Sequence, residues 1–261
     1  MLSSLFLIFF VAVDLTSCAI VETRQTSSDS YVQRNLNTIK SIYDLTVYPR
    51  NVPIIQQGAS AVPPGLFDPS ATGRITPLGN FTGFEDSIEY FFGLAPLPQS
   101  NPAGVAIFKS EVVEFTSGCP EVASSVVYLH VGQVNQTTGE LIEGAKVTPL
   151  KQIAFWRFDD QGLVNKYDAW IPTLQLWTTT SSGIDYSNPL VQANVPAMAL
   201  CPTIQNNCKG TNQQFTDQAD CVAQLTQKPF GTFDEVWGDN LVCRIIHLLL
   251  TTIRPEVGVF E

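Results

Sequence analysis

The chain has 261 residues, 44% of them hydrophobic and only 15% charged, which supplies one substantial core plus an appendage and excludes general disorder. Fourteen Lys and Arg against twenty-four Asp and Glu leave a formal charge of −10, a field that repels phosphate backbones and anionic headgroups and argues against nucleic acid as a partner. The 17 Gly and 17 Pro are scattered and no period recurs, which excludes a solenoid, a propeller or a collagen-like rod.

Residues 1–13 form an apolar run too short to span a bilayer, followed by the small residues Ser17, Cys18 and Ala19. This pattern predicts a secretory signal peptide, 1–19, cleaved after Ala19, with a polar linker over 20–30. Asn80-Phe-Thr82 and Asn135-Gln-Thr137 are glycosylation sequons in segments that read as turns, and they fit an exported, extracellular glycoprotein.

Without Cys18, an odd set of cysteines remains: Cys119, Cys201, Cys208, Cys221 and Cys243. The last four lie close enough for two local disulfides, with three pairings open, and Cys119 is left over. Their spacing lacks the close pairs of a zinc site, so neither a metal nor another cofactor is expected.

Val32, Leu36, Ile39 and Tyr43 fall on one stripe of an amphipathic helix that ends before Pro49. Residues 50–77, rich in Pro, Gly and small polar side chains, read as a long irregular loop. A short helix over 83–92 turns Phe84, Ile88 and Phe91 inward, with Glu85 and Asp86 in its first turn. The period then changes to two, predicting strands at 106–115, 123–132, 147–158 and 163–171. Turn-forming residues at 135–139 and 159–162 make them an antiparallel meander. From Thr178 to Cys201 the chain reads as a linker. It leads to a helical unit with one helix capped by Thr216 or Asp217 and a second over 241–253, too short for a membrane span and expected to dock on the main body.

Two stretches carry a family resemblance. Residues 75–92, ITPLGNFTGFEDSIEYFF, are similar to the strand, turn, Gly and helix of nuclear transport factor two-like proteins, also called SnoaL-like. Residues 152–170, QIAFWRFDDQGLVNKYDAW, resemble that family's closing hairpin. The resemblance spans roughly 31–178. It implies an α+β fold in which a curved antiparallel sheet packs on N-terminal helices as a cone, here 31–180, enclosing a pocket for a small apolar ligand. The segment 181–261, with Cys201-Pro and Cys243 through Arg254-Pro255, resembles a Cys-containing extension of secreted fungal proteins bearing this cone, whose His- and Cys-containing tail is replaced here by 256–261.

Only His130 and His247 could serve a nucleophile, and no G-x-S-x-G elbow, H-E-x-x-H pair, Walker loop or dinucleotide fingerprint is present. Pairing Asp159 with Gly162 sets Trp156 beside Asn165 on the more apolar face with Tyr167, making Tyr167, Asn165 and Trp156 the first candidates for pocket lining. A one-residue bulge in that turn would exchange the faces of one strand. Tyr43 and Tyr48 add a polar rim. Asp168, which the resemblance suggests as a general base, Asp44, and His130 on the face shared by Tyr128 and Val126 are the catalytic candidates. Three readings follow: a binder of a small apolar molecule, an acid–base enzyme (isomerase, cyclase or dehydratase) on such a molecule, or a non-catalytic extracellular protein whose cone makes a homodimer surface.

Overall fold

A computed structural model describes residues 28–100 and 103–251. The predicted signal peptide, most of the linker that follows it, and the tail beyond 251 lie outside these residues. Helix α1 (Ser28–Asp44) buries Asn35, Thr38, Ile39, Ile42 and Tyr43, a face rotated slightly from the predicted stripe, and lies along the sheet. The Asn35 amide donates to Ser117 Oγ (2.9 Å) and to the Pro120 carbonyl (3.1 Å), tying the helix to a strand turn.

The segment expected to be one irregular loop holds a short helix α2 (Val52–Gln57), a 3₁₀ turn and a strand pair, β1 (Phe67–Thr76) and β2 (Gly79–Thr82). Asn80 therefore sits in an exposed edge strand rather than in a turn. Helix α3 (Phe84–Ile88) widens into a π turn at Glu89–Gly93, which lets both Phe91 and Phe92 turn inward. Four long strands follow: β3 (Val105–Cys119), β4 (Val122–Val134), β5 (Leu141–Phe158) and β6 (Val164–Trp170).

These make one curved six-stranded sheet in the order β2-β1-β6-β5-β4-β3. The predicted meander β3 to β6 is antiparallel throughout, but β1 runs parallel to β6, so the sheet is not purely antiparallel. Register shifts within β3/β4, β4/β5 and β5/β6 supply bulges, and bulged strands bend. Side chains alternate as a half-covered sheet requires: in β4, Ala123, Ser125, Val127, Leu129 and Val131 are buried while Val126, Tyr128 and His130 face outward.

The region expected to be a linker is helical. Helix α4 (Leu174–Ser182) is followed by α5 (Pro189–Val195), a π turn, and α6 (Cys201–Asn207). Pro189 stands in the first turn of α5, where its missing N–H costs nothing, and Asn188 Oδ1 accepts from Leu190 N at 2.9 Å. Helix α7 (Gln218–Leu225) is capped by Asp217, and α8 (Leu241–Leu250) by Asn240. The main core lies between the sheet and the helices, and a smaller one sits among α6, α7 and α8. As expected, α8 docks on the body, placing Val242 and Ile246 in the main core and Leu241 and Leu248 in the smaller one.

One disulfide, Cys201–Cys221, joins α6 to α7. The second expected bridge is not formed: Cys208 lies in the small core, whereas Cys243 turns toward the main one, and both are free thiols, as is Cys119. Burial pushes the Cys208 and Cys243 thiols up, which favours the protonated form over the nucleophilic thiolate.

Candidate binding cavity

A cavity of about 360 Å³ lies between the sheet and the C-terminal helices. Its sheet wall is the inward row of Ile75, Ile107, Leu129, Leu150, Gln152 and Ile171. The π turn and the segment after it bring Tyr90, Phe91 and residues 93–97 to one side, and α1 contributes Tyr43 and Thr46. The opposite side comes from the C-terminal third: Leu174 and Trp177 of α4, Phe233, and Ile245, Ile246 and Leu249 of α8.

Most hydroxyls in this wall are spent on local backbone. Thr46 Oγ1 donates to the Tyr43 carbonyl (2.6 Å), Thr178 Oγ1 to Leu174 (2.8 Å) and Ser182 Oγ to Thr178 (2.7 Å). Three polar side chains stand apart from these. Gln152 is 5% exposed and lines the cavity, where its amide atoms are reachable rather than sealed, and no described side chain bonds them. Trp177 Nε1 and the Tyr43 hydroxyl are buried without a partner. Ser125 lies near Tyr43, but its Oγ accepts from Trp156 Nε1 (3.0 Å) and makes no bond of normal geometry with the phenol.

Burial pushes the Tyr43 phenol well above the ordinary tyrosine range, and the Tyr186 phenol also rises by burial, so both stay protonated near neutrality and act as donors rather than bases. Among the described lining residues there is no carboxylate, lysine or imidazole. Behind Tyr90, His247 packs edge-on with ring centroids 6.4 Å apart, and burial lowers its pKa.

Of the residues singled out in the sequence for the pocket, Tyr43 alone lines this cavity. Trp156 and Tyr167 fill the closed end of the core instead. Trp156 packs against Tyr43 and Phe91, and the Tyr167 hydroxyl donates to Ser87 Oγ at 3.0 Å. They pair across strands because two one-residue shifts add: the turn closes on Leu163 rather than Gly162, and Asn165 is bulged out of the ladder. Asp159 Oδ1 accepts from Gln161 N and Leu163 N, the bulge follows Arg157, and Trp156 meets Tyr167 rather than Asn165. Asn165 is left half-buried in the bulge with a buried, unpartnered Oδ1. Tyr48 belongs to a separate cluster near Val134, its hydroxyl donating to the Gln136 carbonyl (2.6 Å) and accepting from Gln99 (2.9 Å).

The catalytic candidates all lie outside the cavity. Asp168 is held by Arg74 through two bonds (3.1 and 2.6 Å) on the outer face, where the guanidinium pKa rises in return. It borders a more open hollow of about 370 Å³ with Phe155, Arg157 and Lys166, which Trp156 and Tyr167 also border. Asp44 is exposed, accepting from Ser110 Oγ (2.5 Å) and pairing with Arg50 at 3.7 Å. His130 faces outward, bonded through Nε2 to Glu111 at 2.8 Å, which with Lys109 lowers the Glu111 carboxyl. The sequence did carry a signal for the missed residue: Gln152 is the one polar member of the inward row Leu150, Gln152, Ala154, Trp156 and Phe158.

Residues 171–259 match the model of the BfoA family C-terminal domain. The chain is 26% identical over 244 residues to Bifonsecin B biosynthesis cluster protein A of Aspergillus brasiliensis, covering 89% of this chain and 78% of that protein. It is also 26% identical over 227 residues to Aurasperone B biosynthesis cluster protein A of Aspergillus niger, covering 83% and 70%. Among solved structures, it is similar to a protein described as a SnoaL-like polyketide cyclase from Jannaschia sp. CCS1, with 15% identity, 60% of this chain and 96% of that one covered, and a TM-score of 0.40. A ketosteroid isomerase-like protein from Erwinia carotovora atroseptica aligns with 10% identity, 56% and 98% coverage and a TM-score of 0.35. The stretch matched by the family model is thus the one that contributes α4, Phe233 and α8 to the cavity wall.

Proposed function

We propose that this protein binds an apolar small molecule in the cavity beneath its C-terminal helices, in the service of a fungal biosynthetic pathway. The observation that carries this reading is the wall itself: about 360 Å³, mostly apolar, assembled from both parts of the chain and, among the described residues, without a charged side chain. That volume lies in the range of small-molecule sites. The relatives named for biosynthesis clusters support a pathway context. Acid–base turnover would need a base from beyond this wall, so binding is the reading favoured. Export is part of the proposal, supported by the predicted leader, by sequon asparagines Asn80 and Asn135 that are both exposed, and by a disulfide.

Titration with naphthalene followed by tryptophan emission tests the binding, because Trp177 stands in the wall. The parent protein should respond saturably. Ala95→Phe, which adds a ring at a half-buried wall position on the edge of the main core, should weaken binding at least roughly tenfold while leaving the unfolding midpoint nearly unchanged. An unresponsive parent, or an A95F variant that binds equally well, removes the reading.

A further inference from the structure

A buried amide without a partner costs on the order of 1–3 kcal/mol of desolvation, a cost that an apolar residue in the same place would avoid. Gln152 would incur it once an apolar ligand sealed the cavity: it stands in the middle of β5, opposite Val127, in a row otherwise made of Leu150, Ala154, Trp156 and Phe158, with its amide at the cavity wall. Sites that break a local rule of the fold in this way are where function is expected. The residue is only 5% exposed, it borders the cavity, and no described side chain bonds its amide.

The unpartnered groups are also biased in kind. Trp177 Nε1 can only donate, the Tyr43 phenol stays protonated and offers its O–H, and the Gln152 NH₂ donates while its Oε1 accepts. Among these three side chains, donating groups outnumber accepting atoms, in a wall with no described charge. A ligand that answers this surplus carries acceptor oxygens and no formal charge. At about 30 Å³ for each water-sized group, the cavity accommodates roughly a dozen non-hydrogen atoms.

We propose that Gln152 is the polar anchor of the cavity and that the ligand is an uncharged, mostly apolar, bicyclic-sized molecule with a carbonyl-type oxygen directed at the Gln152 amide. This rests on the cavity being a binding site, and the test separates the two claims. Coumarin and naphthalene are of nearly equal size, but only coumarin carries carbonyl and ring oxygens. Calorimetric titration of each into the parent protein should show coumarin bound roughly fivefold to tenfold more tightly, the margin of one net hydrogen bond. In Gln152→Met, of similar length and without the amide, that preference should vanish, naphthalene should bind at least as well as before, and the thermal midpoint should hold or rise.

Equal affinity for the two probes in the parent, or a coumarin preference that survives Q152M, overturns the anchor while leaving the pocket intact. A Q152M protein that fails to fold overturns it as well, since the amide would then be a structural requirement. If neither probe binds the parent, the pocket reading fails and the anchor falls with it.

Discussion

Gly73 in β1 sits so close to the Tyr167 ring that a Cβ built on it would stand 2.3 to 2.4 Å from three ring carbons. Its partner cannot retreat, because Tyr167 is 1% exposed, wedged against Phe91 and held through its hydroxyl by Ser87. Gly73→Ala should therefore destabilise by about 1–3 kcal/mol in urea unfolding, through steric overlap rather than backbone strain. Pairing it with Tyr167→Leu should recover part of the loss; strict additivity of the two single effects would count against the contact. The same pair shows how residue-scale reading stops short. Tyr167 and Trp156 were legible as inward aromatics, but their being neighbours across strands depended on a turn one residue longer than expected, which Asp159 stabilises by accepting two backbone N–H groups, together with the bulge at Asn165. Gln152 stood in plain view of the alternation in β5, yet only a structure could show that nothing pairs with it.

Elements whose partners are adjacent in sequence were the readable ones. The hairpins of β3 through β6 announce themselves by alternation and turn residues, and α1, α7 and α8 by spacing and caps. By contrast, β1 contains Pro69 and Gly73, and its long-range partner β6 lies parallel to it, so no local signal marks it. The helices α4 to α6 are punctuated by Pro189 and Pro196 and by the run Thr178 to Ser182, whose hydroxyls bond back to helix carbonyls rather than breaking the helix. On α8, His247 carries a prediction of its own. Burial holds its folded pKa below the ordinary value of 6.5, so between the two values the unfolded chain binds a proton that the folded chain refuses. Its contribution to stability is intact above about pH 6.5 and declines as pH falls below it. The exposed carboxylates Asp68, Asp185, Asp220 and Asp239 have lowered pKa values and lose their contribution only below about pH 4, a separate window. Urea midpoints measured at about pH 7.5 and about pH 5.5 should fall less in His247→Gln than in the parent; equal declines would place the acid sensitivity elsewhere.

At the scale of the whole molecule, α8 is the shared part. It presents Leu241 and Leu248 to the core around the Cys201–Cys221 disulfide, Val242 and Ile246 to the main core, and Ile245, Ile246 and Leu249 to the cavity. Ligand binding and the folding of the C-terminal unit should consequently be linked: whatever loosens the small core also loosens one wall of the cavity. The disulfide closes a loop of sequence separation 20, which stabilises by about 3 kcal/mol in the chain-entropy account. Replacing both cysteines with alanine should lower the midpoint accordingly and weaken coumarin binding, although neither sulfur lines the cavity. Because a ligand that binds only the folded form adds stability by mass action, coumarin at about a hundred times its Kd should return about 2.7 kcal/mol to the variant. Unfolding followed by tryptophan emission, with and without coumarin, measures both effects. A variant that loses stability but binds coumarin as the parent does would mean that the small core and the cavity wall fold independently, with α8 anchored by the main core alone.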